Sequence, residues 1–445
     1  MKVVALVDGE HHPAVTRWGL AAAAEAGWDV MAALVVGGGD KLDPLRDPDL
    51  GAVPALTSGA EPLPRTLVRL IAELKPDAVL DLSGEPALTN PARMGLAAHV
   101  LAKGIPYVGP DFRFDPPIIE EALRVPTLAV IGTGKRVGKT AVSAHVARLA
   151  AEDGREPVIV AMGRGGPRVP SVIRPADVTV DFLLALAARG EHAASDYLED
   201  ALTSGVPTVG ARRSGGGLAG RPFATNLADA AAVALREGPG LLILEGSGAA
   251  VPTIPWDAAV LVAPASISPE ELTGWLGAYR ILLSDLAVFI MGGGPSAGPE
   301  DLSALDSQVR RLRADVRVIT AELIPVPLAD VKGKDAFFAT TAPRELAGRL
   351  AGKIEETARC RVIGTSARLG DRAGLLEDLA EAPPFQVLLT ELKASAVDVG
   401  ARFARDRGAD VVVVDNRPRG DDLEAHLREL IELAGARAEA RLTVG

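Results

Sequence analysis

The chain has 445 residues, 48% of them hydrophobic and 24% charged, enough apolar material for more than one core and so for two or three domains. A formal charge of -11 excludes a general nucleic-acid binder held by phosphate neutralisation, so any anion site must be local. A single cysteine, Cys360, excludes a disulfide framework and any cysteine-rich metal site, and it suits a reducing compartment.

The apolar run that opens the chain stops at Asp8, too short for a secretory leader, and reads as a first strand. Through about residue 120, the runs Val3–Val7, Val30–Val36 and Ala78–Leu82 alternate with the Ala-rich amphipathic stretches Thr16–Ala26, Leu67–Leu74 and Pro91–Ala102. That rhythm predicts a mostly parallel sheet covered by helices. The runs end in polar, Gly-containing segments: Asp8-Gly-Glu-His-His-Pro13, Asp81-Leu-Ser-Gly-Glu-Pro86 and Tyr107-Val-Gly-Pro-Asp111. Loops at these strand ends are where such sheets bind ligands. Asp81, Glu85 and Asp111 read singly as helix caps. Asp115-Pro-Pro117 reads as a boundary.

A second α/β unit, residues 121–345, runs through Thr127–Ile131, Val158–Met162, Leu241–Glu245, Ala259–Ala263, Leu286–Ile290 and Val316–Ile319. Its most apolar stretch, 241–265, is broken by Glu245, Pro252, Pro255 and Asp257, which excludes a membrane span of about 20 residues. Residues 346–445 carry one more βαβ: Gln386–Leu389, a helix from Lys393 to Arg407, and Asp410–Asp415. A cytoplasmic setting is expected.

The strongest local signal is Val130-Ile-Gly-Thr-Gly-Lys-Arg-Val-Gly-Lys-Thr-Ala-Val142, a strand, a glycine-rich turn and a helix from Ala141 to Ala151. Such a turn offers backbone N–H groups and a helix N-terminus to phosphates. Gly134, Lys135, Arg136, Val137, Gly138, Lys139 and Thr140 form the expected nucleotide site, with Lys139 on the β/γ-phosphates and Thr140 on Mg²⁺. Thr133 occupies the position of the usual first glycine, flanked by Gly132 and Gly134. Glu245, an acid closing an apolar strand before Gly-Ser-Gly, suits a hard cation that keeps several waters. Arginines follow in two glycine-rich segments, Met162-Gly-Arg-Gly-Gly-Pro-Arg168 and Val209-Gly-Ala-Arg-Arg-Ser-Gly-Gly-Gly-Leu-Ala-Gly-Arg221, a pattern that favours a phosphate-bearing small molecule.

Lys135 makes the loop similar to the deviant P-loops of the dethiobiotin synthetase, cobyrinate synthase and partition-ATPase class. Taken together, Asp8-Gly-Glu-His11, Gly132 to Thr140, Met162-Gly-Arg-Gly-Gly-Pro167, Arg213-Ser-Gly-Gly-Gly217, Glu245-Gly-Ser-Gly248, Thr390-Glu-Leu-Lys393 and Val414-Asp-Asn-Arg-Pro418 resemble the cyclic 2,3-diphosphoglycerate synthetase family. The resemblance implies α/β architecture throughout: a Rossmann-like N-terminal domain (1–120), a P-loop NTPase domain with a mostly parallel sheet (121–345) and a small C-terminal βαβ element (346–445). It further implies conversion of 2,3-diphosphoglycerate and ATP to cyclic 2,3-diphosphoglycerate, ADP and phosphate, by a homodimer whose site lies between the first two domains.

On that reading Lys135, Lys139 and Glu245 are catalytic, Thr140 and Glu245 hold Mg²⁺, and His11, Arg164, Arg168, Arg212, Arg213 and Arg221 bind diphosphoglycerate. His11 and His12 read equally as a turn beside a helix cap, and Lys393 equally as a solvated lysine. Phe289-Ile-Met-Gly-Gly-Gly294 stands where relatives of dethiobiotin synthetase often carry a base-reading Asn, so ATP is implied by the family alone. Two rival readings stay open: a dethiobiotin- or cobyrinate-type ligase activating a carboxylate or carbamate, and a nonenzymatic partition-type ATPase switch. The second needs a basic or amphipathic surface for DNA or membrane, which this acidic chain does not display.

Overall fold

The computed structural model describes residues 1–37, 49–292 and 298–444, so Gly293 and Gly294 lie outside the described residues. The chain divides into two compact units. The first takes residues 1–119 with 268–283 and 308–314; the second takes 120–267, 284–307 and 315–445.

In the first unit, β1 (Lys2–Val7), β2 (Asp29–Val35), β3 (Ala55–Thr57), β4 (Ala78–Asp81), β5 (Tyr107–Val108) and β6 (Arg113–Phe114) form one sheet in the order β3-β2-β1-β4-β5-β6. All pairs are parallel except β5–β6. Val3 to Val7 are all buried, as expected of a central strand covered on both faces by helices such as α1 (Pro13–Glu25), α2 (Leu63–Leu74) and α3 (Asn90–Leu101). The strand order reverses between β1 and β4, the kind of crevice where parallel sheets take ligands. There Asp8 accepts from the amide of Gly84 at 3.0 Å. Asp81 closes β4 by accepting from Tyr107 Oη at 2.6 Å, Arg93 Nε at 2.7 Å and Ser83 Oγ at 2.5 Å, so it ties its own sheet and loop together.

The second unit carries β7 (Thr127–Gly132), β8 (Pro157–Gly163), β9 (Val172–Ile173), β10 (Thr208–Ser214), β11 (Ala224–Thr225), β12 (Leu241–Glu245), β13 (Ala258–Pro264), β14 (Leu286–Met291), β15 (Arg317–Pro327), β16 (Asp335–Ala339), β17 (Arg361–Ser366), β18 (Val387–Thr390) and β19 (Asp410–Arg419). They run β11-β10-β8-β12-β7-β13-β14-β15-β19-β18-β16-β17, with β9 beside β10. From β10 to β15 every neighbour is parallel. β15 then pairs antiparallel with β19, Val326 opposite Asp415, and the sheet continues through the C-terminal strands. From β16 onward the chain therefore extends the same sheet with more than the one βαβ read from sequence. β16 and β17 hid in runs of only five or six residues, one of them carrying Gly364.

Helix α4 (Lys139–Glu152) covers β7, and the helix Leu423–Val444 lies against it. Arg428 pairs with Glu152 and Asp153, Arg437 with Asp285, and Arg441 with Asp257. Asp257 also accepts from the amide of Thr127 at 3.0 Å, so one carboxylate joins the first residue of β7 to the C-terminal helix. Among the described residues no helix is long and apolar enough to cross a membrane. Replacing Asp257 with Ala strands that amide and the Arg441 guanidinium, and is expected to cost about 2 kcal/mol. Urea unfolding should show a lower midpoint with an unchanged slope.

Candidate functional site

All six residues of β7 are buried, so the chain leaves a rigid strand directly into the loop 133–138. Thr133, at the position of the missing glycine, donates its amide to Val262 O on β13 at 3.3 Å. A Cβ on Gly132 would come within 2.9 Å of Lys139 Cδ and of Val137 Cγ2, so this glycine is what lets Lys139 fold back under the loop. Gly138, at φ +97°, turns the chain into α4 without a side-chain cap, which leaves the first-turn N–H groups facing an anion position. Lys139 is 7% exposed, donates Nζ to Gly134 O at 2.8 Å, and is held below the usual lysine range by burial. Lys135 and Arg213 both flank Gly248, so the loop lysine and the arginine at the end of β10 share one corner.

Thr140 Oγ1 donates to Glu245 Oε1 at 2.9 Å. Glu245 ends β12, is 3% exposed, and its Oε2 has no hydrogen-bond partner. Its carboxyl lies against that of Asp200, which is fully buried and has neither oxygen hydrogen-bonded to a donor. Burial, and then the neighbouring Glu245, push Asp200 well above the ordinary carboxylate range; burial also raises Glu245, with Asp200, Lys139 and Thr140 working the other way. Glu199 is pushed up to about 7 by burial, although Lys393 Nζ stands 3.1 Å from its Oε1. Lys393 in turn is raised by Glu199 and Glu391.

Burial works to raise Glu391, yet Lys393, Thr341 and Asn416 outweigh it and hold its carboxyl below the usual range. Thr341 donates its amide and hydroxyl to Glu391 Oε2 at 3.0 and 2.8 Å, and Asn416 donates to Oε1 at 3.0 Å. Among the described residues no group of three or more His, Cys, Asp or Glu side chains forms a ready metal cage. A hydroxyl and carboxylate oxygens left without donors nevertheless fit Mg²⁺, which takes one or two carboxylates and completes its shell with phosphate and water.

Arg164, Arg168 and Arg212 line a cleft of about 640 Å³ together with His192 and Tyr197. Gly166 sets its floor: a Cβ there would stand 2.2 Å from Ala211 O, so only glycine lets this loop lie on β10. Arg212 Nε donates to Gly166 O at 2.7 Å, which binds the two arginine segments to each other. Arg213, 5% exposed, donates Nη1 to Gly215 O at 2.5 Å and Nη2 to Ser247 O at 2.8 Å, with Nε left unpartnered. Burial, and then Arg164, lower its pKa. Arg212 and Arg213 stand on β10, whereas the sequence pattern sets them in a glycine loop. Arg221 lies outside the cleft lining, where its carbonyl accepts from the Gly217 amide at 2.8 Å. His11, in the first unit, is exposed and bonded through Nδ1 to Asp8 Oδ1 at 3.0 Å.

Lys393 does not open a helix. The helical segment starts at Ala396, and Lys393 is paired in the loop after β18. Sequence reasoning also missed Asp200, Glu199 and Asp196. Their signal was the spacing in Asp196-Tyr-Leu-Glu-Asp200, which usually marks a solvated helix face, but here Glu199 and Asp200 are buried where the helix packs on α4 and the sheet.

Three family models match the chain: the cyclic 2,3-diphosphoglycerate synthetase N-terminal domain at residues 2–115, its P-loop domain at 127–321 and its C-terminal domain at 327–417. A protein of Rubrobacter xylanophilus named cyclic 2,3-diphosphoglycerate synthetase is 42% identical over 438 residues, 98% of each chain. Proteins of the same name from Methanothermobacter thermautotrophicus and Methanothermus fervidus are 38% and 37% identical, covering 99% and 94% of this chain and 98% and 93% of theirs.

The packing of Gly132 carries its own test. Gly132→Ala forces the Lys139 stem out of its groove, an overpacking cost of about 1–3 kcal/mol borne at the site. ADP affinity measured by calorimetry should fall about tenfold or more while the far-ultraviolet circular dichroism is unchanged.

Proposed function

We propose, because this chain belongs to the cyclic 2,3-diphosphoglycerate synthetase family, that it closes 2,3-diphosphoglycerate into its cyclic anhydride at the expense of ATP. The observation that carries the reading is the cleft lined by Arg164, Arg168 and Arg212, joined to the nucleotide loop through the corner shared by Arg213 and Lys135. The first-turn amides of α4 with Lys139 and Lys135 bind the ATP phosphates, and the cleft arginines bind the acceptor. Arg213 and Arg221, which stand outside the cleft lining, add positive charge from the end of β10 and the loop after it.

One substrate phosphate oxygen attacks the γ-phosphorus, and the bond from that phosphorus to the β,γ-bridging oxygen breaks to release ADP. The neighbouring phosphate then attacks the inner phosphorus of the new diphosphate, expelling inorganic phosphate and closing the ring. Both nucleophiles are ionised at pH 7, so the protein's task is to align anions that repel each other and to screen their charge. Lys135 and Lys139 do this at the transferring phosphoryl group. Thr140 and Glu245 are the residues that would hold Mg²⁺, which when bound neutralises the β- and γ-phosphate oxygens. A cytoplasmic setting suits the chain's single cysteine, which is buried, and a homodimer is the assembly expected of the class.

ADP release should require 2,3-diphosphoglycerate and no macromolecular partner. Arg168→Ala should raise the KM for diphosphoglycerate by about 10–100-fold, the equivalent of one charge-assisted contact, and leave the KM for ATP within about twofold. Hydrolysis of ATP at the same rate without diphosphoglycerate would refute the substrate assignment.

A further inference from the structure

The motif Thr390-Glu-Leu-Lys393 ends in a lysine that the phosphate loop and the arginine cleft leave without a task. Its backbone is held in a costly shape. Ala394, the next residue, lies in the left-handed region at φ +50°, and Ala396 donates its amide back to Lys393 O at 3.0 Å. One turn of π-helix, Ala396–Ala401, follows directly. Strained turns and π turns gather where a side chain must be aimed. Leu392 and Val397, on either side, are buried in one core with Leu198 and Ala201 of the helix Asp196–Ser204, so the loop is clamped onto that acidic helix.

The ammonium arrives between two parts of the site. It stands 3.1 Å from Glu199 Oε1, its side chain is 35% exposed, and no second partner among the described residues takes its remaining N–H groups. One turn from Glu199 on the same face, Asp196 reaches the end of β8: a Cβ on Gly163, the residue before the cleft's Arg164, would stand 3.3 Å from Asp196 Oδ2. The residue after Glu199, Asp200, lies against Glu245, the partner of Thr140. Burial lowers Lys139, and Arg213 and Lys393 add to that against Glu245 and Asp196, so the charge of Lys393 reaches the loop lysine.

We propose that Lys393 is a catalytic residue: the C-terminal strands deliver a third lysine, beside Lys135 and Lys139, to the phosphoryl group passing from ATP to the acceptor. This rests on the proposed transfer of the γ-phosphoryl group of ATP and not on which phosphate compound accepts it. Lys393 forms no covalent bond and keeps its proton. While the phosphorus–oxygen bond to ADP breaks and the bond to the acceptor phosphate oxygen forms, its free N–H groups meet the phosphoryl oxygens, where two repelling anions are closest. Glu199 is then a positioning residue that, with Glu391, keeps the ammonium charged and in place.

A lysine that only neutralises a buried Glu199 is the competing role, and a pair of substitutions separates the two. Lys393→Met leaves Glu199 without its cation and should melt below the parent; Lys393→Met with Glu199→Gln removes both charges and should recover most of that loss. ADP release by the full-length protein, with Mg²⁺, ATP and 2,3-diphosphoglycerate, should fall about 10²–10³-fold in kcat in both variants, the cost of removing one donor from developing charge. ADP affinity, by calorimetry with Mg²⁺, should stay within about threefold of the parent, because ADP lacks the phosphoryl group that Lys393 meets.

A double variant that turns over ATP near the parent's rate overturns the assignment, since Lys393 then serves Glu199 alone. So does a Lys393→Met protein of unchanged kcat, or a double variant that melts as low as the single one, which marks a lysine needed by the fold. If the parent releases ADP equally without diphosphoglycerate and both variants lose that release, Lys393 stands and the acceptor reading falls. If release requires diphosphoglycerate and the double variant keeps it, the Lys393 assignment alone falls.

Discussion

The hydrogen bond of 2.9 Å from Thr140 Oγ1 to Glu245 Oε1 ties the first turn of α4 to the end of β12, and the rest of the site is arranged around that junction. It works because β7 and β12 are adjacent parallel strands, with Glu245 level with Val130, so a threonine at the start of one helix meets an acid at the end of the neighbouring strand. Around the junction the protein gathers negative groups, its own carboxylates and, on the proposed reading, five or so phosphates. Close-set glycines are the means by which cations are brought near enough. Gly132 makes room for the Lys139 stem, Gly166 lets an arginine loop lie on β10, and Gly248 lies between Lys135 and Arg213.

The C-terminal strands are part of this arrangement. β15 hands the sheet to β19, whose Asp415 accepts from Arg148 of α4 at 3.3 Å and from Arg417 at 2.9 Å. Asn416 holds Glu391, and Glu391 and Glu199 together keep Lys393 charged beside the acidic helix. Two segments far apart in sequence, 390–393 and 414–418, thus reach the nucleotide domain through one chain of hydrogen bonds and ion pairs. Charged groups buried in such a chain are costly to leave half-paired, so a change at either end is felt at the other.

Much of this was legible before any coordinates. The βαβ rhythm, the strand leading into the phosphate loop, and Glu245 at the end of an apolar run are local patterns, set by burial and by the needs of a tight turn. The clustering of Arg164, Arg168 and Arg212 was legible as a tendency, because arginines among glycines suggest anions. What stayed hidden depended on long-range pairing. An acidic helix face reads as solvated unless one knows that α4 and β8 lie behind Glu199 and Asp200. A lysine after an apolar run reads as a helix start unless one sees Glu199 opposite it. The short strands β16 and β17 carry too few residues for their alternation to register, and the antiparallel step from β15 to β19 has no local signature at all.

The central claim is that this site joins two phosphates of one small molecule at the expense of ATP. Phosphorus-31 NMR of the full-length protein with Mg²⁺, ATP and 2,3-diphosphoglycerate tests it most directly. Two upfield diphosphate signals coupled to each other should grow in step with ADP and inorganic phosphate, and none of them should appear with Lys139→Ala. ATP that stays intact, or ADP and phosphate that appear while both ester phosphates of diphosphoglycerate remain unchanged, would contradict it.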